Sequence, residues 1–127
     1  MFEATTHNIR VEVEPAYEPD QSDPRNNRFF FSYRVRISNR RDKPVQLLSR
    51  RWVITDAYGK TEEVSGPGVV GVQPKLKPGE TFEYSSFCPL PTPGGSMKGT
   101  YIMVDDQGAP LEIQIPLFTL SEPNQYH

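Results

Sequence analysis

One cysteine, Cys88, stands among 127 residues, which excludes an internal disulfide and gives no sign of an oxidising compartment. Runs of about 18 apolar residues are missing, as is an apolar h-region at the N-terminus. The sequence therefore predicts a soluble, cytoplasmic protein without membrane insertion. Histidine is nearly as scarce, with two residues: His7 and His127 lie near opposite ends, and there is no C-x-x-C pair to hold a metal. Sustained helical periodicity is lacking too, because 13 prolines and nine glycines interrupt every window. What remains is a single all-β domain over residues 1–127, long enough for one hydrophobic core.

The net charge of −2 hides an uneven distribution. Residues 1–24 sum to −5, residues 25–51 to +8 and residues 52–127 to −5. A basic block in an acidic chain brings nucleic acid or an acidic partner into consideration.

Strand periodicity is clear in several places. His7, Ile9, Val11 and Val13 alternate with polar residues, and Pro15 is expected to end that strand. Residues 18–27, with two prolines and many small polar residues, predict a flexible loop. From Arg28 to Asn39, Phe29, Phe31, Tyr33, Val35 and Ile37 share one face, with Phe30, Ser32, Arg34, Arg36 and Ser38 on the other. Val45 to Thr55 predicts a third strand with Leu48, Trp52 and Ile54 inward and a bulge near Ser49. Strands follow at 61–64, 81–87, 96–104 and 111–117, and a fraying tail at 121–127. About seven strands with turn signals between them predict an antiparallel sandwich of the immunoglobulin or fibronectin type III kind. Its expected core also includes Phe82, Tyr84, Tyr101, Ile113 and Ile115.

Residues 66–71, Gly-Pro-Gly-Val-Val-Gly, spell G-x-G-x-x-G. In a dinucleotide-binding fold that pattern opens a helix whose N-terminus holds the pyrophosphate. Here Pro74, Pro78 and Gly79 follow, and no helix continues through them. The loop is expected to be the hinge of a crossover in the sandwich, with its glycines at positive φ and Val69 or Val70 packed inward. A weaker chemical version keeps a nest of backbone N–H groups from Gly66, Gly68, Val69, Val70 and Gly71 with Lys75 or Lys77 nearby, able to hold a small anion such as a phosphate or pyrophosphate.

Arg34, Arg36, Arg40 and Arg41 form a candidate basic surface, with Phe30 offering a stacking plane. Glu12 and Glu14 lie on the polar face of the neighbouring strand, so cross-strand ion pairs account for much of this charge and nucleic acid is not the expected partner. Asp105, Asp106 and Gln107 could hold a hydrated magnesium ion, but acids in a glycine-containing turn usually only shape the turn. No metal site and no cofactor are expected. Cys88 lacks an activating base and reads as an inert thiol, and no catalytic grouping stands out. A binding module remains, with Tyr17, Phe30, Tyr58, Val70 and Phe87 as candidate anchors. An exposed sandwich edge permits pairing of two chains, and nothing in the sequence requires it.

The residues also carry a resemblance. Residues 45–50 (Val-Gln-Leu-Leu-Ser-Arg), 52–55 (Trp-Val-Ile-Thr), 63–74 (Glu-Val-Ser-Gly-Pro-Gly-Val-Val-Gly-Val-Gln-Pro), 76–80 (Leu-Lys-Pro-Gly-Glu) and 82–86 (Phe-Glu-Tyr-Ser-Ser) resemble the ApaG family. So do Thr92-Pro93, Gly95-Ser96-Met97, Gly99-Thr100-Tyr101 and residues 113–118 (Ile-Gln-Ile-Pro-Leu-Phe), so that the resemblance spans nearly the whole chain. Arg51 departs from it, standing where an aromatic or histidine is more usual. The resemblance implies a fibronectin type III-like sandwich and a link to cobalt resistance and magnesium efflux in bacteria. In eukaryotic relatives, F-box and polymerase-interacting proteins among them, it implies a role as an interaction module. It implies no reaction and no catalytic residues. The expectation is a non-enzymatic module that binds a protein partner or small ligand, with nucleotide or phosphate binding through the 66–71 loop as the alternative.

Overall fold

The computed structural model describes residues 1–123. Nine strands build two antiparallel sheets among these residues. The first sheet holds β1 (Phe2–Thr6), β2 (Ile9–Tyr17), β3 (Phe29–Asn39) and β7 (Thr81–Leu90), in the order β1-β2-β3-β7. The second holds β4 (Val45–Asp56), β5 (Thr61–Pro67), β6 (Lys75–Leu76), β8 (Gly94–Asp105) and β9 (Pro110–Ser121). Its order is β5-β4-β8-β9, and the two-residue β6 also pairs with β4.

The alternation seen in β3 dictates the layering: Phe29, Phe31, Tyr33, Val35 and Ile37 are buried between the sheets, while Arg34 and Arg36 face out. Against them pack Trp52, Tyr101, Met103, Ile113, Ile115 and Phe118 from the second sheet. Tyr33, Trp52 and Phe118 form an aromatic trio with ring centroids 5.3–5.9 Å apart. Ile54 and Phe82, expected in the core, lie at its margin and are only partly buried.

Two strands exceed the seven read from periodicity. β1 is short, and β6 survives only by pairing with β4. His7 does not belong to β2: His7 and Asn8 form the β1–β2 turn, both at positive φ. Pro15 does not end β2, which runs on to Tyr17. The reason lies in the sheet: β1 pairs with β2 only as far as Val13, so the missing N–H of Pro15 deprives no neighbour of a bond. Residues 18–27 hold two 3-10 turns, at Pro19–Gln21 and Pro24–Asn26, and Asp23 bridges Arg28. The bulge in β4 falls between Leu47 and Ser49, and it buries Leu47 rather than the expected Leu48. Of the tail expected to fray, residues 124–127 lie outside the described residues.

Asn39, fully buried, ties together two of the three places where the chain changes sheet. Its Nδ2 donates to the carbonyls of Lys43 and Leu76, and its Oδ1 accepts from the N–H of Arg41. Its backbone N–H and carbonyl pair with Glu80 and Gly79. The β3–β4 and β6–β7 connections are thereby clasped at one end of the sandwich.

Candidate functional site

The glycine loop is not a crossover between the sheets. Along the outer edge of β4, Ser49 pairs with Pro67 and Gln46 with Lys75, so β5 and β6 occupy one lane and residues 68–74 loop out between them. The change of sheet comes later, at Lys77–Glu80, where Gly79 takes φ +84° and Lys77 N–H donates to Glu80 Oε1. What holds the loop to its lane is the β4 bulge. The carbonyl of Leu48 accepts from Gly68 N–H at 2.8 Å and from Gln73 Nε2 at 2.9 Å. Gln46 Nε2 reaches the carbonyl of Gln73, and Leu47 N–H that of Pro74.

At the tip, Val69 and Val72 exchange both backbone hydrogen bonds, at 2.8 and 2.9 Å, around a two-residue turn. Both central residues, Val70 and Gly71, have positive φ, +43° and +84°, as a mirror-image hairpin turn demands. Val69 is fully buried and Val70 is 56% exposed. The expectation that one of the two valines packs inward thus holds for Val69. Gly68, at φ +61°, could not carry a side chain: a Cβ there would lie 2.3 Å from the Val72 carbonyl oxygen. No helix follows Gly71, and the N–H groups of Gly68, Val69 and Val72 are already bonded to carbonyls. Lys75 lines a shallow depression beside Asp105 and Asp106, with Pro44, Gln46 and Val104, rather than joining the loop tip.

Arg50, to which sequence reasoning gave no role beyond the basic segment 25–51 and the 45–50 motif, takes a specific place in the structure. It pairs across β4 with fully buried Tyr101 on one side and Gly66 on the other, so its side chain leaves β4 on the core-facing side. Nη1 donates to the carbonyls of Pro67 at 3.0 Å and Gly68 at 2.9 Å. The signal was present in the two-residue spacing from Arg50 to Trp52, which puts both on one face. Near the guanidinium lie three tyrosines. Tyr84 and Tyr101 share a short hydroxyl–hydroxyl hydrogen bond, and Tyr33 lies directly opposite Ser86 across the β3–β7 pair. Burial raises the pKa of all three phenols, while the Arg50 charge works weakly against it. Burial, helped by Glu62, likewise pushes the Cys88 thiol up to about 11, in keeping with an inert thiol.

The four arginines of the candidate basic surface are divided between two places. Arg34 and Arg36 lie on the outer face of the first sheet among Glu12, Glu14 and Glu83, with Arg36 bound to Glu83 at 2.6 Å. Arg40 and Arg41 instead hold the β1–β2 turn, through Arg40 N–H to the Asn8 carbonyl and Arg41 Nη1 to the His7 carbonyl. Phe30 packs against Phe87 with tilted rings, centroids 5.3 Å apart, and Tyr17 against Phe31 at 5.4 Å. Asp105 Oδ1 accepts from the N–H groups of Gln107 and Ala109, which lowers its pKa and marks it as a turn residue. No group of three or more metal-ligating side chains occurs among the described residues, and no helix there is long and apolar enough to cross a membrane.

The fold and this edge define a protein class: an antiparallel β-sandwich of the fibronectin type III kind whose outer strand carries a glycine loop laid over an inward arginine. Residues 19–105 match the ApaG domain. The chain is 54% identical to Protein ApaG of Paramagnetospirillum magneticum over 98% of its own length and 96% of the relative's. It is 51% identical to Protein ApaG of Mesorhizobium japonicum, over 97% and 95%. A crystal structure of the putative ApaA protein from Bordetella pertussis superposes with a TM-score of 0.90 at 50% identity, covering 95% of this chain and 98% of that one. The chain belongs to the ApaG family. Neither the family description nor these relatives' names state a reaction.

Proposed function

We propose that this protein is a non-enzymatic binding module of the cytoplasm, which docks a protein partner on the loop at 66–71 and the adjoining edge of β5. The observation that carries this reading is Val70. A β-branched residue at φ +43° stores backbone strain of about 1–3 kcal/mol, and its side chain adds nothing to the core because it points to solvent. A fold that holds such a residue in that conformation gains by presenting it. Val72, 46% exposed, and Val64, 37% exposed, extend the apolar surface along the same edge. The cobalt-resistance and magnesium-efflux role associated with ApaG proteins is then exerted through the partner, without a bound cation.

Affinity capture from the native cytoplasm tests this reading. Val70→Asn, which suits the left-handed turn and removes the apolar tip, is expected to remain folded and to lose a partner that the unaltered protein retains. Identical captures by the two proteins would remove the loop from the function.

A further inference from the structure

Arg50 carries a free binding edge. With the carbonyls of Pro67 and Gly68 taking both hydrogens of Nη1, the Nε–H and one Nη2–H remain side by side on the opposite edge of the guanidinium plane. That fork matches two oxygens of a carboxylate or phosphate. The ion pairs among the described residues are Arg10 with Glu3 and Glu12, Arg36 with Glu83, and Arg51 with Glu63, so no carboxylate there neutralises Arg50. Among the described residues the buried side-chain nitrogen left without a partner is Nε of Arg41, not an atom of Arg50, so the free fork of Arg50 reaches solvent.

The surroundings are polar on the side where a ligand could enter. β5 and β7 are the outermost strands of their sheets, whereas the sheets approach most closely on the other side, where β1 and β2 cross β9. In the gap between β5 and β7, Ser86 and Cys88 pair with Tyr33 and Phe31 of β3 and so share the core-facing side with Tyr84. Glu62 of β5 is the acid near this gap, close enough to act on Cys88. A guanidinium turned toward the core with one edge unmatched keeps part of its desolvation cost, and an oxyanion on that edge would remove it.

We propose that the Nε/Nη2 fork of Arg50, with the hydroxyls of Tyr33 and Ser86 in the same gap, binds one oxyanion, a carboxylate or a phosphate, at the β5–β7 edge. This site differs from a backbone nest in the loop, where the N–H groups of Gly68 and Val69 are already taken. It is also distinct from the contact made by Val70, which lies on the loop's outer tip, although both adjoin β5.

The test follows the Arg50 Nε–H resonance by NMR while inorganic phosphate or acetate is added at constant ionic strength, with chloride as control. Saturation with phosphate or acetate, and a linear response to chloride, is expected. Tighter binding of phosphate would point to a phosphorylated ligand, and tighter binding of acetate to a carboxylate-bearing one. Arg50→Lys keeps the charge and a donor for the loop carbonyls but lacks the planar fork, and is expected to weaken half-saturation, followed on the Gly68 amide, by about tenfold or more. Tyr33→Phe, which retains its ring contact with Trp52, provides a second variant and is expected to weaken binding as well. Val70→Asn should leave the titration unchanged even where it abolishes partner capture. Linear responses to both anions, unaltered saturation in Arg50→Lys and Tyr33→Phe, or saturable shifts confined to Lys75 and Lys77 would overturn the proposal.

Discussion

Arg50 and Gly66 share one space: a Cβ at position 66 would begin 3.2 Å from Nη1 and 3.4 Å from Nη2 of Arg50. The glycine that opens the G-x-G-x-x-G pattern therefore has a packing cause. It lets a guanidinium lie across the strand backbone and hold the loop by its carbonyls, a task that needs no nucleotide.

The three glycines of the loop should respond differently to alanine. Gly68→Ala meets a backbone oxygen and a positive φ together, and is expected to cost about 2–4 kcal/mol. Gly71→Ala has open space but φ +84°, and should cost about 1–2 kcal/mol. Gly66→Ala presses only on the far end of the flexible Arg50 side chain and should cost under about 1 kcal/mol. Urea unfolding midpoints at constant m-value check the order.

Val70→Asn is expected to raise stability by about 1 kcal/mol, because asparagine tolerates the left-handed region that valine resists. A lowered midpoint would show that the Val70 side chain contributes packing, and would weaken the reading of this residue as an outward anchor.

Asn39→Asp should be among the most damaging conservative changes in the chain. It replaces the amide that donates to Lys43 and Leu76 with a carboxylate facing those two carbonyl oxygens in a fully buried site. Asn39→Ala should cost about 2–4 kcal/mol through its unmatched carbonyls. Hydrogen exchange is expected to show the loss first at Gly79 and Arg41, whose N–H groups bond to Asn39.

Stability should fall as the pH rises above 9. The folded pKa of Cys88, about 11, exceeds its ordinary value of 9.0, so the native state holds the proton longer than the unfolded chain. The associated stabilisation is complete below pH 9 and is lost as the pH climbs through 11, amounting to at most about 3 kcal/mol, less what solvent screening removes at this thiol. Tyr33, Tyr84 and Tyr101, all raised by burial, add to the loss above pH 10. Denaturation midpoints between pH 8 and 11 measure the slope, and Cys88→Ala should flatten the portion between 9 and 11.

Much of this protein is legible in one dimension. The alternation from Phe29 to Ile37 determined a two-faced strand, because a period of two leaves only one way to bury five large side chains. Pro74, Pro78 and Gly79 excluded the helix that a nucleotide fingerprint requires, although Pro15, Pro89 and Pro116 lie inside strands. That Glu12 and Glu14 share the outer face with Arg34 and Arg36 followed from the same alternation. The register sets Glu12 opposite Arg36 and Glu14 opposite Arg34, but the ion pairs formed are Arg36 with Glu83 and Glu12 with Arg10.

Tertiary structure decided what alternation cannot reach. Pro15 reads as a stop until it is known that β1 ends before it, and Leu47 takes the buried place of Leu48 because a bulge shifts the register against β8. The role of Arg50 depends on partners 17 and 18 residues along the chain, at Pro67 and Gly68, and on tyrosines from β3, β7 and β8 that meet only when the sheets stack. Local pattern specifies which face a side chain takes. What that side chain meets is set by sheet order, loop path and bulge, which are properties of the packed chain.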